Sequence, residues 1–301
     1  VVLRTRPHWH HLIGVAAAVG ATWLAVIGLL YVNQRSLLYQ PAAAVAAPDV
    51  DGPAIQVVRF KTADGETLVG WWLPAQAGRP TVLFFNGNAA GLAMQRGRWS
   101  RLADAGIGFL AVAYRGYDGS TGRPTEAGLH QDARAAYAWI TERVAPSDLV
   151  IHGFSLGTGV ATRLASERPA RALVLEAPFT SASDVAARAY PWAPVQWLMK
   201  DRFLSREHID RIRMPLLILH GDRDSVVPFA QGRALYDLAR PPKRLVRMIG
   251  SDHNTLTRDG SYDHILRFLS LAPPQTTAFD GNAAGTEISR NCGEAILPVV
   301  C

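Results

Sequence analysis

The segment Leu149-Val150-Ile151-His152-Gly153-Phe154-Ser155-Leu156-Gly157 decides how the rest of the chain is read. An apolar run of strand length leads straight into a glycine-bracketed serine, and the small-residue stretch Thr158 to Arg168 then reads as a helix. A serine on a sharp turn between a buried strand and a helix is pushed out beyond the sheet edge, and the flanking glycines relieve the crowding of such a turn. Ser155 is therefore the candidate nucleophile. In a chain with 26 glycines the same five letters also arise by chance, so the assignment needs partners elsewhere.

Partners follow in order. Pro215 to His220 reads as a short buried strand running into Gly221-Asp222-Arg223-Asp224-Ser225-Val226-Val227-Pro228, and Arg244 to Ile249 reads as a last strand running into Gly250-Ser251-Asp252-His253-Asn254. A serine hydroxyl needs an imidazole to take its proton during attack and return it to the leaving group; a buried carboxylate holds the imidazole tautomer. His253 is the candidate base and Asp224 the candidate acid. Asp222 competes with Asp224 but lies tight against the turn at Gly221, where capping the turn is its expected task. Upstream, the strand Thr81 to Phe85 ends in Asn86-Gly87-Asn88-Ala89-Ala90-Gly91. The backbone amides of Asn88 and Leu156 are the candidate oxyanion donors, although a Gly-Asn loop is also ordinary turn chemistry.

Of the nine histidines, His152 and His220 end buried strands and read as core residues, and only His253 follows both a strand and the candidate acid. No close His or Cys spacing suggests zinc outside the N-terminal cluster His8, His10 and His11, so no metal is expected.

These motifs together resemble the α/β-hydrolase superfamily, and within it the membrane-anchored α/β-hydrolase-domain proteins related to serine aminopeptidase-like hydrolases. Asn86 to Gly91 is similar to His-Gly-Asn-Ala-Gly-Asn of that group, departing at Asn86 and Ala90. Tyr114-Arg115-Gly116-Tyr117 matches its Tyr-Arg-Gly-Tyr, and the likeness continues through Ser120, Gly122, Pro124, Glu126, Gly128, Leu129 and Asp132. His152 to Gly157 resembles His-Gly-x-Ser-Leu-Gly, and His220 to Pro228 resembles His-Gly-x-x-Asp-x-x-Val-Pro, which also favours Asp224 as the acid. The resemblance covers roughly residues 30 to 270. It implies hydrolysis of an ester, thioester or amide without a cofactor.

With 301 residues, 49% of them hydrophobic, the chain has room for one α/β domain and appendages. A net charge of +6 with scattered arginines gives no nucleic-acid footprint. Leu12 to Val32 is 21 residues without a charge, long enough to cross a bilayer. A cleaved signal peptide or a core helix would share this composition; the length exceeds a signal core of roughly 7 to 15 residues, and the small-residue run Ala42 to Ala47 lies far beyond it. An uncleaved anchor is the expectation. Arg4 and Arg6 before it against Arg35 after it favour a catalytic domain on the outer, non-cytoplasmic side. The expected organisation is flank and anchor in 1–35, an α/β-hydrolase domain in 36–272, and a loosely ordered tail in 273–301 carrying Cys292 and Cys301, whose redox state and oligomeric consequences stay open.

Alternating strand and helix patterns predict a mostly parallel eight-stranded sheet with helices on both faces. A lid insertion is expected over 178–214, whose aromatics Phe179, Tyr190, Trp192, Trp197 and Phe203 either line an acyl-binding cleft or form the small core that keeps the lid folded. The leading expectation is a membrane-anchored serine esterase or thioesterase acting on a small-molecule, lipid or otherwise acylated substrate. A peptidase or amidase using the same residues, and a noncatalytic membrane-bound binding protein, are the alternatives.

Overall fold

A computed structural model describes residues 9–41, 55–89 and 91–271. Cys292, Cys301, the 273–301 tail, Ala90 and the Ala42 to Ala47 run lie outside them. The long helix α1 (Trp9–Leu38) leads to an eight-stranded sheet of order β1-β2-β4-β3-β5-β6-β7-β8. The strands are β1 (Gln56–Lys61), β2 (Thr67–Leu73), β3 (Thr81–Phe85), β4 (Gly108–Ala113), β5 (Leu149–Phe154), β6 (Ala172–Glu176), β7 (Leu216–Gly221) and β8 (Lys243–Met248). The β1–β2 and β2–β4 pairs are antiparallel and every later pair is parallel.

The burial of each strand follows from its place. The inner strands β3, β4, β5, β6 and β7 are buried along their whole length, because helices cover both faces; their unbroken apolar runs, instead of alternation, reflect this. The edge strands β1 and β8 keep polar and charged positions exposed, which blunts edge-to-edge pairing. The covering helices are α2 (Arg96–Asp104), α3 (Glu126–Thr141), α4 (Leu156–Ala165), α7 (Phe229–Leu238) and α8 (Ser261–Leu271). Thr125 caps α3 by accepting from the Gly128 amide. Between β6 and β7 the insertion folds into α5 (Ala182–Ala189), α6 (Val195–Leu198) and two short 3-10 turns. Ser181 caps α5 by accepting from the Asp184 amide at 3.0 Å.

The parallel register brings functional positions to one edge. Phe85 pairs with Gly153, Phe154 with Glu176, and Gly221 with Met248, so the loops after β3, β5, β7 and β8 all leave the carboxyl end of the sheet. Open parallel sheets form their crevices there. Helix α1 continues past residue 35 to Leu38 without a break.

Candidate functional site

Ser155 stands between the last residue of β5 and the first turn of α4 with φ 51° and ψ −120°, a conformation that non-glycine residues rarely adopt. Such a backbone costs of the order of 1–3 kcal/mol and persists only where its surroundings enforce it. Here the Ser155 amide donates to the Glu176 carbonyl at 2.9 Å, and its own carbonyl accepts from the Thr158 amide at 2.8 Å. The flanking glycines answer close approach: a Cβ at Gly157 would come within 2.1 Å of the Phe85 carbonyl oxygen, and one at Gly153 within 2.4 Å of the Gly157 oxygen.

The three side chains singled out from the sequence meet. Ser155 Oγ lies 2.9 Å from His253 Nε2, and His253 Nδ1 lies 2.8 Å from Asp224 Oδ2. An ionised carboxylate only accepts, so Nδ1 carries the ring proton and Nε2 is left to accept the serine hydroxyl. All three residues are buried. Burial opposes the charge on Asp224, but hydrogen bonds from His220 and His253 and from the Val227 amide hold its carboxyl far below the usual carboxylate range. Its Oδ1 also accepts from the Val226 and Val227 amides at 2.9 and 2.7 Å. Asp222 points elsewhere, accepting from the Gly250 amide at 2.7 Å and pairing with Arg247 at 3.3 Å. It ties the β7 and β8 loops together instead of meeting His253.

Asn88 and Leu156 line the same cavity as Ser155. Residue 88 is oriented from three directions: its carbonyl accepts from the Tyr117 hydroxyl at 2.8 Å and the Gln40 amide at 3.0 Å, and its side-chain amide donates to the Leu38 carbonyl at 2.9 Å. Tyr114 fixes the preceding turn by donating to the Asn86 carbonyl at 2.9 Å. Arg115, between these tyrosines, pairs with Asp132 and Asp64, each at 2.8 Å, and anchors the loop that carries them. The roles of Tyr114 and Tyr117 were not evident from residue type alone; the matching Tyr-Arg-Gly-Tyr motif was the signal that pointed at them.

His152 and His220 are the core histidines expected from the sequence, but the partners that surround them were not read there. His220 sits behind the acid, with Nε2 donating to the Val227 carbonyl at 2.8 Å and lying 3.4 Å from Asp224 Oδ2. Under Ser155, Glu176 meets Arg98 and His152 in a fully buried cluster. Burial disfavours the Glu176 charge, yet Arg98 and His152 hold its pKa down to about 2. Arg98 also lies over the Phe154 ring at 4.7 Å, and that ring is tilted against His253 with centroids 5.3 Å apart. Through Gln95 the same arginine reaches Asn86: Arg98 Nε donates to Gln95 Oε1 at 2.8 Å and Gln95 Nε2 to Asn86 Oδ1 at 3.0 Å.

The cavity over Ser155 holds about 430 Å³ and has no charged side chain in its lining. The lid aromatics divide. Phe179 and Tyr190 line the cavity, Phe203 is buried against Gly159 and His130, and Trp192 and Trp197 are exposed, Trp197 by 89%. Both readings of the aromatic cluster are thus realised by different members, because the insertion has one side toward Ser155, one toward α3 and α4, and one outward.

A family model described as the alpha/beta hydrolase fold matches residues 80–208. The chain belongs to the α/β-hydrolase superfamily, and it is an enzyme of the serine-hydrolase type. An uncharacterized protein of Mycobacterium tuberculosis is 39% identical over 264 residues, covering 85% of this chain and 94% of that protein. The lysophosphatidylserine lipase ABHD12 of Rattus norvegicus is 35% identical over 258 residues, covering 73% of this chain and 63% of the lipase, so this chain spans less than two thirds of that protein. Among solved structures, a Pyrococcus furiosus esterase superposes with TM-score 0.63 at 20% identity, covering 78% of this chain and 98% of the esterase, a likeness of fold.

Proposed function

We propose that the protein is a membrane-tethered esterase or thioesterase that cleaves an acyl group from a lipid or other acylated substrate through an acyl-enzyme on Ser155. His253 takes the serine proton as Oγ attacks the acyl carbonyl and delivers it to the departing oxygen or sulfur. The same ring then activates the water that releases the acid. Asp224 holds the ring in the required tautomer and stabilises the imidazolium. The amides of Asn88 and Leu156 receive the oxyanion, each contributing roughly 3 kcal/mol in the transition state.

The observation that carries this reading is the unbroken Ser155–His253–Asp224 hydrogen-bond chain at the foot of an uncharged, apolar cavity. An acyl chain suits such a lining. A peptide suits it less, since no carboxylate among the lining residues would receive a substrate amine. Relatives named as lysophosphatidylserine lipases support an acylated lipid as the substrate class.

The tether is α1. Within residues 11–38 an 18-residue stretch has a mean hydropathy of 2.2 with almost none of it buried, which argues against a core helix. Its last turns pack on the catalytic domain and wall its cavity, which argues against removal as a signal peptide. The basic residues before it favour an outward-facing catalytic domain.

Replacing Ser155 by Ala is expected to lower kcat on the order of 10⁴-fold or more while leaving the unfolding transition unchanged. Turnover by this variant near the wild-type rate would refute the acyl-enzyme.

A further inference from the structure

Helix α1 is exposed from Leu12 to Leu37 except at Ile27, Leu30 and Gln34, and the half-buried Leu38 follows one turn on. These positions recur three and four residues apart and so share one helix face. That face lines the cavity over Ser155, opposite Ala186 and Ala189 of α5 and Leu198 of α6.

The helix is also fastened there. Arg35 grips Asp201 with two bonds of 2.8 and 3.2 Å, the Lys200 amide donates to Gln34 Oε1 at 2.7 Å, and Trp23 Nε1 donates to the Trp192 carbonyl at 3.3 Å. Its end runs directly into the loop of Asn88 through the Leu38 and Gln40 bonds. A mere tether would need none of these contacts. Without α1, the chamber above Ser155 would lose one complete side, and any apolar group in it would face water.

We propose that α1 forms the outer wall of the acyl-chain site, so that the helix that tethers the protein also determines which chain lengths it accepts. This rests on the serine-hydrolase reading above. Leu30, in the middle of the lining stripe, is the specificity-determining residue. Each methylene denied its place in the site costs about fourfold in kcat/KM, so blocking a few positions discriminates strongly between long and short chains.

The test uses the full chain in detergent micelles with p-nitrophenyl butanoate, octanoate and hexadecanoate. Leu30→Trp fills the cavity and is expected to lower the hexadecanoate-to-butanoate ratio of kcat/KM by about tenfold or more. Leu30→Ala should shift the preference toward the longer chain. Val32→Trp places the same bulk on a position that is 76% exposed and outside the lining, and should keep the wild-type profile. The assignment is overturned if Leu30→Trp and Val32→Trp give the same profile, or if Leu30→Trp loses all three esters equally while Ser155 still reacts with a fluorophosphonate. Ser155→Ala run in parallel separates the two ideas. An active Ser155→Ala defeats the serine mechanism itself; an inactive one beside an unshifted Leu30→Trp defeats only the wall.

Discussion

Glu176 holds the turn at Ser155 twice, through its carbonyl on the Ser155 amide and through its carboxylate on Arg98 and His152. Glu176→Gln would leave the Arg98 charge buried without its counterion, a loss of about 3–5 kcal/mol in urea unfolding at neutral pH. The pH dependence has a definite sign. The folded pKa of about 2 lies below the ordinary 4.5, so the unfolded chain binds the extra proton first. The stability from this pair is complete above pH 4.5 and drains away as pH falls toward 2. The Gln variant should show a flatter stability curve across that window, and an equal slope in both proteins would discount the buried carboxylate. Ser155, Asp224 and His253 were legible in the sequence because each follows an apolar strand run, and strand order does the rest. Arg98 and Glu176 were not. They are 78 residues apart, one on a helix and one at a strand end, and nothing local distinguishes a buried ion pair from a surface arginine and a strand-terminal acid.

The strand limits read at Thr81 to Phe85, Pro215 to His220 and Arg244 to Ile249 hold to within about a residue, since buried parallel strands carry unbroken apolar runs bounded by turn residues. The loop after β3 was harder. Its glycine and asparagines signal a turn, but what holds the turn comes from β4's exit and from the end of α1, neither adjacent in the chain. Tyr117 supplies one of those restraints, donating to the Asn88 carbonyl. Tyr117→Phe removes that bond at a cost of about 1 kcal/mol. If Asn88 acts as proposed, its amide drifts from the oxyanion, and kcat should fall about fivefold with KM little changed. A change in KM alone, with kcat preserved, would show that the tyrosine shapes substrate binding instead. The lid illustrates a different limit. Its aromatic content was visible, but which ring faces Ser155 depends on how two short helices, α5 and α6, pack, and eight- and four-residue helices carry too little periodicity to orient them.

Helix α1 has 30 residues, which at 1.5 Å per residue reach about 45 Å, against a hydrocarbon thickness of about 30 Å. If α1 crosses a bilayer as proposed, the surplus turns stand clear of the hydrocarbon; Gln34, Arg35 and Leu38 meet the domain at that end, while Trp23, Ile27 and Leu30 meet it further back along the apolar stretch. Composition made the apolar segment obvious. That its far end belongs to the catalytic domain was hidden, because Ile27, Leu30 and Leu38 are the same residue types that face lipid. The Arg35–Asp201 clasp gives this junction a further meaning. Asp201 also accepts from the Glu126 amide at the start of α3, so the clasp ties the helix to the body of the domain; if α1 is inserted as proposed, the domain does not swivel freely above the surface. An enzyme anchored as proposed would meet a lipid substrate by two-dimensional diffusion within a single leaflet. Its rate should follow the mole fraction of substrate among the surrounding lipids: diluting vesicles with inert phospholipid slows turnover in proportion, whereas diluting the same vesicles with buffer leaves it unchanged.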